Sequence, residues 1–176
     1  MPGYKYSSKT NPEITAKAVG IALPISTKHS IEICNMLRHK NVQDAKNMLD
    51  QVIAKKLVVP FRRFTGSVGH KTKIGPGRYP QKAAKEILKI IKSAEANAVQ
   101  KGLNSDGLFI AHICAQKASR QWHYGRKRSR RMKRTHIEVI VEEKFKKKKQ
   151  VTKKDSHKTE SVKNEDKKPQ QREDKK

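Results

Sequence analysis

LFIAHICAQKASRQWHYGRKRSRRMKRTHIEVIV, running from Leu108 to Val141, is the stretch whose reading decides the fold. Its first part, Leu108 to Ala115, is rich in apolar residues and reads as a strand. Its last part, Ile137 to Val141, sets Ile137, Val139 and Val141 against Glu138 and Glu142, the period of a half-buried strand. Between them lie about 20 residues that are almost wholly basic and polar. Two strands around a charged excursion predict one hairpin whose arms extend beyond the core. With roughly 15 residues in each arm, it would reach about 50 Å at the usual strand rise.

The rest of the chain supplies a body for that hairpin. Ile14 to Leu23 alternates in part and reads as a strand, stopped by Pro24. Ser26 or Thr27 can cap a first helix running to about Arg38, with Ile31, Cys34 and Leu37 on one face. His39-Lys40 interrupts it. Asn41 is a second N-cap candidate, with Asp44 in the first turn, where a negative charge suits the helix dipole. Ala45, Met48, Leu49, Val52 and Ile53 form the apolar stripe of that second helix, which ends near Lys56. Leu57 to Tyr79 is a long connection with Gly66, Gly69, Gly75, Pro76 and Gly77, the kind of loop that is usually functional or disordered. Pro80 suits the first position of a third helix, which carries Ala84, Ile87, Leu88, Ile91, Ala94 and Ala98 on one face and stops at Gly102. The expected class is α+β: three helices packed on a small three-stranded antiparallel sheet with a long protruding β-hairpin, plus a disordered basic C-terminal tail. The expected boundaries are an N-terminal extension over 1–13, a domain over 14–144 that includes the extended hairpin 107–144, and a tail over 145–176.

Charge narrows the function. The 176 residues hold 42 Lys and Arg against 16 Asp and Glu, a formal charge of +26. Self-repulsion on this scale opposes compaction unless a polyanion neutralises it, the footprint of a nucleic-acid partner. Residues 1–143 carry a net +18 and residues 144–176 a net +8. The tail has only Phe145, Val151 and Val162 as large apolar side chains, too few to offset the entropy of ordering. Its Lys146–Lys149 run reads equally as a nuclear signal, a membrane-surface patch or a segment drifting along RNA phosphates. There is no stretch of about 18 apolar residues to span a bilayer. Met1 to Ser8 lacks the apolar region of a secretory signal. Cys34 and Cys114, 80 residues apart, read as two small buried side chains in a cytosolic protein.

Two stretches contain no acid at all. Gln51 to Lys85 carries Lys55, Lys56, Arg62, Arg63, Lys71, Lys73, Arg78, Lys82 and Lys85. Gly107 to Ile137 carries Lys117, Arg120, Arg126, Lys127, Arg128, Arg130, Arg131, Lys133 and Arg134. Arginine dominates the second set, and its guanidinium binds phosphate in bidentate fashion and stacks on bases. Trp122, His123 and Tyr124 interrupt that set. These rings suit stacking on unpaired bases, or else form a small cluster that stiffens the hairpin. Lys28 and His70 join the RNA-binding candidates; Lys82 and Lys85 do not. Gly66 to Lys71 lacks the spacing of a phosphate-binding loop, so its glycines suit a thin backbone lying along a sugar-phosphate chain.

Catalytic signals are weak. None of the histidines, His29, His39, His70, His112, His123, His136 and His157, has zinc spacing with a cysteine. His112 and His136 would sit on the two strands, where they could face each other. The acids are expected mostly on helix surfaces and near termini, with no pair placed for acid–base work. No enzyme, metal, cofactor or small-molecule substrate is therefore expected. A histidine nuclease and a free-standing basic module, either an RNA chaperone or a chromatin-type binder, are the competing classes.

Four segments, in order and at matching spacing, carry a resemblance. They are Val59-Pro60-Phe61-Arg62-Arg63; Gly77-Arg78-Tyr79-Pro80; Ala94-Glu95-Ala96-Asn97-Ala98 with Lys101-Gly102-Leu103; and Arg134-Thr135-His136-Ile137-Glu138. Over roughly residues 4–144 the chain resembles the universal large-subunit ribosomal protein family L-twenty-two, called L-seventeen in eukaryotes. The short Gly77-Arg78 region and Gly3-Tyr4-Lys5-Tyr6-Ser7 are more like its archaeal branch. The resemblance implies three helices on a small antiparallel sheet, with the body near the outlet of the nascent-chain tunnel. It implies a hairpin running inward whose tip, about Ser119 to Arg131, helps form the tunnel wall beside another ribosomal protein. Its partners would be large-subunit RNA, neighbouring ribosomal proteins and the nascent polypeptide, in the cytoplasmic ribosome. The tip sequence Gln121-Trp122-His123-Tyr124-Gly125 differs from the family's tips.

Overall fold

The computed structural model describes residues 4–143. The tail expected over 145–176, with its Lys146–Lys149 run, lies outside the described residues.

The elements run β1 (Thr15–Leu23), α1 (Thr27–Leu37), α2 (Val42–Ile53), β2 (Val59–Pro60), β3 (His70–Lys71), β4 (Gly75–Arg78), α3 (Gln81–Gln100), β5 (Leu108–Lys117) and β6 (Thr135–Glu143). The main sheet has the order β1-β6-β5 and is antiparallel throughout. The three helices cover one of its faces, as expected.

The core lies between them. Ala16 and Ala18 of β1, Ile110 and Ile113 of β5, and Ile137, Val139 and Val141 of β6 face Ile87, Ile91, Ala94 and Ala98 of α3. α3 approaches β1 so closely that a Cβ at Gly20 would lie 2.5 Å from Ile90 Cδ1. Gly102, with φ +80°, turns the chain out of α3 in a conformation that disfavours other residues. α1 turns Ile33 into the core with Cys34 and Leu37, while Ile31 is only half-buried and borders the basic cleft described below.

Neither Ser26 nor Asn41 caps its helix with a side chain. Thr27 Oγ1 instead meets Thr135 Oγ1 at 2.9 Å, and Ser30 Oγ donates back to the Ser26 carbonyl. The His39-Lys40 turn is stitched to β5: the His39 N–H donates to the Ile110 carbonyl and the Ile110 N–H to the Lys40 carbonyl. That contact occupies backbone groups that an edge strand would otherwise expose.

Leu57 to Tyr79 is not the irregular connection expected. It folds into a small sheet, β2-β4-β3, from strands two to four residues long. Strands this short, built on Gly75, Pro76 and Gly77, leave no alternating pattern to read. Glu32 organises the approach to it. This buried α1 carboxylate accepts the N–H groups of Arg63 and Phe64, both at 2.9 Å. It was expected, like the other acids, at a surface. Replacing Glu32 by Ala strands both N–H groups and should cost about 2–4 kcal/mol in urea unfolding. Hydrogen exchange at Arg63 and Phe64 should quicken, and Glu32→Gln should recover part of the loss.

β5 carries a bulge. Ile110 pairs with Val141 but His112 pairs with Ile140, so Ala111 is the extra residue. The alternation changes phase there, turning Ile113 inward and His112, Cys114 and Gln116 outward. His112 and His136 therefore do not face each other. His136 is opposite Gln116, and its Nδ1 accepts the Ala22 N–H at 3.1 Å. Cys34 is buried, which pushes its thiol up to about 12. Cys114 was expected to be a core residue as well, but it is half-exposed on the outer face, and the two thiols are not bonded to each other.

The outer face is crossed by the chain segment before β1. Ser7 donates its N–H to Glu138 Oε2 at 3.2 Å and its hydroxyl to Glu138 Oε1. Tyr4 and Tyr6 meet edge to face, and Lys17 Nζ lies 5.4 Å from the centre of the Tyr6 ring. Burial, then the Glu138 charge, raises both phenols. Glu138 itself is fully buried. Burial opposes its ionisation, but donation from Ser7, Cys114 and His112 holds the carboxyl below its ordinary value.

Candidate nucleic-acid interface

Beyond Lys117 and Thr135 the hairpin leaves the core behind. Ala118 donates to the Arg134 carbonyl, Met132 to that of Gln121, and His123 to that of Arg130. Trp122 bridges to Arg131, and the chain reverses through a turn at Gly125–Lys127. Gly125 takes φ +64° there. At about 3.3 Å per residue, the limb from Leu108 to Tyr124 spans at most about 55 Å, the outer ~20 Å of it past the paired strands. Only Ala118 of this outer part is buried.

The arm's rings do not form a cluster. The Arg131 guanidinium lies 4.1 Å from the centre of Trp122, which is still 54% exposed, and Tyr124 is 85% exposed. Trp122 thus stiffens the arm through a cation and keeps a face outward. Arg126, Lys127, Arg128 and Arg130 are all exposed around the tip, and His123 is half-buried.

At the arm's base, three separate segments enclose a cleft of about 800 Å³. Lys28 comes from α1, Arg63 and Arg78 from the small sheet and its approach, and Lys117, Arg120, Lys133 and Arg134 from the hairpin. Among the described residues, no acidic side chain lines it. Ser26 and Thr27 bring the positive end of α1 to its edge. Rings back the cations: Lys28 Nζ and the Arg63 guanidinium each lie 5.6 Å from the centre of Phe64, and Arg78 lies 5.8 Å from that of Phe61. Arg78 also donates to the Ser67 carbonyl at 2.9 Å, which fixes its direction. His29 packs edge to face on Phe61, and burial, followed by Arg78 and Lys133, lowers its pKa. Its ring is therefore harder to protonate than an ordinary imidazole.

The structure thus gathers Lys28, Arg63, Arg78, Lys117, Arg120, Lys133 and Arg134 at one place. It sets the Trp122-to-Arg131 group on the arm. Lys55, Lys56, Arg62, His70, Lys71 and Lys73 are exposed and do not line the cleft; Lys71 Nζ lies 5.8 Å from the centre of Tyr79. Among the described residues, no ion pair involves any of these cations: the carboxylate pairs are Lys46–Glu95, Lys89–Glu86 and His112–Glu138. Sequence reasoning missed His29, Phe61 and Phe64, whose place depends on the fold of the 57–79 segment.

The family model described as ribosomal protein L22p/L17e matches residues 18–142. The chain belongs to that family. The match spans most of the sheet, all three helices, the cleft and the whole arm. Large ribosomal subunit protein uL22 of Methanosphaera stadtmanae is 43% identical over 148 residues, covering 80% of this chain and 96% of that protein. Its counterpart in Methanocaldococcus jannaschii is 45% identical over 147 residues, covering 79% and 94%. That of Ignicoccus hospitalis is 41% identical over 157 residues, covering 81% and 99%. These relatives are archaeal, in keeping with the branch suggested by Gly3 to Ser7. The family is one of structural ribosomal proteins, not of enzymes, and among the described residues no helix is long and apolar enough to cross a membrane.

Proposed function

We propose that this chain binds large-subunit ribosomal RNA in the cytoplasmic ribosome, with the cleft gripping backbone at the arm's base and the arm reaching into folded RNA. The observation that carries this reading is the run of cations from the cleft to the tip that, among the described residues, has no carboxylate partner. Positive groups so placed repel one another until phosphate neutralises them. Phosphate contacts set register, and the exposed rings of Trp122 and Tyr124 supply stacking on unpaired bases. A slender limb with almost no core of its own is ordered at least cost where RNA surrounds it.

Family membership supports the finer assignment. The body stands near the outlet of the nascent-chain tunnel, and the tip, about Ser119 to Arg131, forms part of its wall. The arm passes neighbouring ribosomal proteins, meets the nascent polypeptide and supports assembly by holding RNA segments together.

The test is sedimentation of a lysate of the source cells on a sucrose gradient, with the chain followed by antibody. It should travel with the large-subunit peak and leave it in high salt with RNA-stripping kinetics. A chain running free at the top of the gradient at low salt would defeat the assignment.

A further inference from the structure

We propose that His112, Cys114 and Glu138 form a Zn²⁺ site on the outer face of the main sheet, distinct from the RNA-binding surface. The bulge at Ala111 puts His112 and Cys114 two residues apart on one face of β5, and antiparallel pairing sets Cys114 directly opposite Glu138. Sequence spacing hides this set, because its third member comes from another strand.

The convergence at Glu138 is what calls for a cation. Its Oε1 receives Cys114 Sγ at 3.0 Å, Gln116 Nε2 at 3.2 Å and the Ser7 hydroxyl, and His112 Nε2 lies 3.4 Å from Oε1 and 2.9 Å from Ser7 Oγ. One carboxylate oxygen offers two lone pairs, so three donors compete for them, with the His112 ring close by. A single ion replaces that competition. With ligand distances of about 2.0 Å for N and O and about 2.3 Å for S, the 3.0 and 3.4 Å separations subtend about 90° and about 115° at the metal, on either side of the tetrahedral angle. The three ligand atoms lie within 4.8 Å of one another. The widest pair, at up to 4.8 Å, must close by up to about 1.3 Å to reach the ~3.5 Å that a tetrahedral angle between nitrogen and sulfur needs, a movement that falls to the partly exposed His112 and Cys114 side chains.

The chemistry selects the metal. One thiolate, one imidazole and one carboxylate make a mixed N/O/S set of charge −2 that suits Zn²⁺. On binding, the Cys114 thiol gives its proton to solvent and sulfur takes the metal. Glu138 Oε2 keeps the Ser7 N–H, an outer contact that orients the ligating carboxylate. The fourth position opens toward Ser7 and takes its hydroxyl or a water. The ion then clamps the segment before β1 onto the sheet.

The reduced, RNA-free full-length chain is titrated with Co²⁺ and watched by absorption. One equivalent should bind, with tetrahedral visible bands and a thiolate-to-cobalt charge-transfer band, and Zn²⁺ should displace it. Cys114→Ser should abolish the charge-transfer band, and Glu138→Gln should weaken binding at least about tenfold. A second measurement needs no variant: Zn²⁺ should slow alkylation of Cys114 at least about tenfold, mapped by mass spectrometry, with Cys34 unreactive throughout. Absence of the charge-transfer band, its survival in Cys114→Ser, or Cys114 alkylation indifferent to Zn²⁺ would overturn the site.

Discussion

Replacing Arg126, Arg128, Arg130 and Arg131 by Glu should keep the chain out of the large subunit. All four are exposed, and none forms an ion pair within the described protein. Nothing in the body depends on them, so the variant should fold with an unchanged circular dichroism spectrum. Each guanidinium on phosphate contributes at least about 1 kcal/mol as a charge-assisted contact. Four lost contacts therefore weaken association about a thousandfold, before the repulsion of four new carboxylates is counted. Arg131 adds a local effect, because its loss uncovers the Trp122 ring. Deleting residues 150–176 is the control. The tail's attraction to RNA is diffuse, so the truncated chain should still enter the particle. Equal incorporation of the Glu variant and the unaltered chain would show that the arm does not anchor.

The cleft should speak through salt. Arg63, Arg120, Lys133 and Arg134 line it from two sides. Each cation on phosphate releases about 0.7–0.9 counterion equivalents. Changing these four to Gln should flatten the plot of log affinity against log salt, for purified large-subunit RNA, by about three. Affinity at physiological salt should fall by a hundredfold or more, uniformly across RNA sequences, since backbone contacts carry no sequence information. Changing Lys82, Lys85, Lys89 and Lys92 of α3, outside the cleft, should move the slope much less. A slope indifferent to the cleft changes would mean that RNA docks elsewhere.

Much of this was legible in the residues. The helices announced themselves through Ala45, Leu49 and Val52, and through Ile87, Ile91, Ala94 and Ala98, whose spacing admits only one buried face. The hairpin followed from two apolar strands around a stretch without acids. The proposed interface was read from the same stretch, because an acid-free run of arginines has few other uses. What stayed hidden depended on register or on contacts distant in sequence. Ile33 outranks Ile31 because α1 is rolled toward β5, which no local pattern records. The small sheet is too short and too rich in Gly and Pro for periodicity. Glu32 and Glu138 are buried acids, against the ordinary expectation for carboxylates, and each is stabilised by donors that the fold brings from far along the chain. The bulge at Ala111 is invisible in sequence, yet it decides that His112 and Cys114 face outward. The cleft needed three segments brought together, so its cations could be named beforehand but not its shape or its rings.

Limited trypsin digestion, comparing the isolated chain with the assembled large subunit, bears most directly on an arm ordered by RNA. The isolated chain should be cut rapidly between Arg126 and Arg131, where the backbone is exposed and thinly paired. In the particle those bonds should survive while the protein remains otherwise intact. Equally fast cutting in both would mean that RNA does not surround the arm, and the account of its charge would fail.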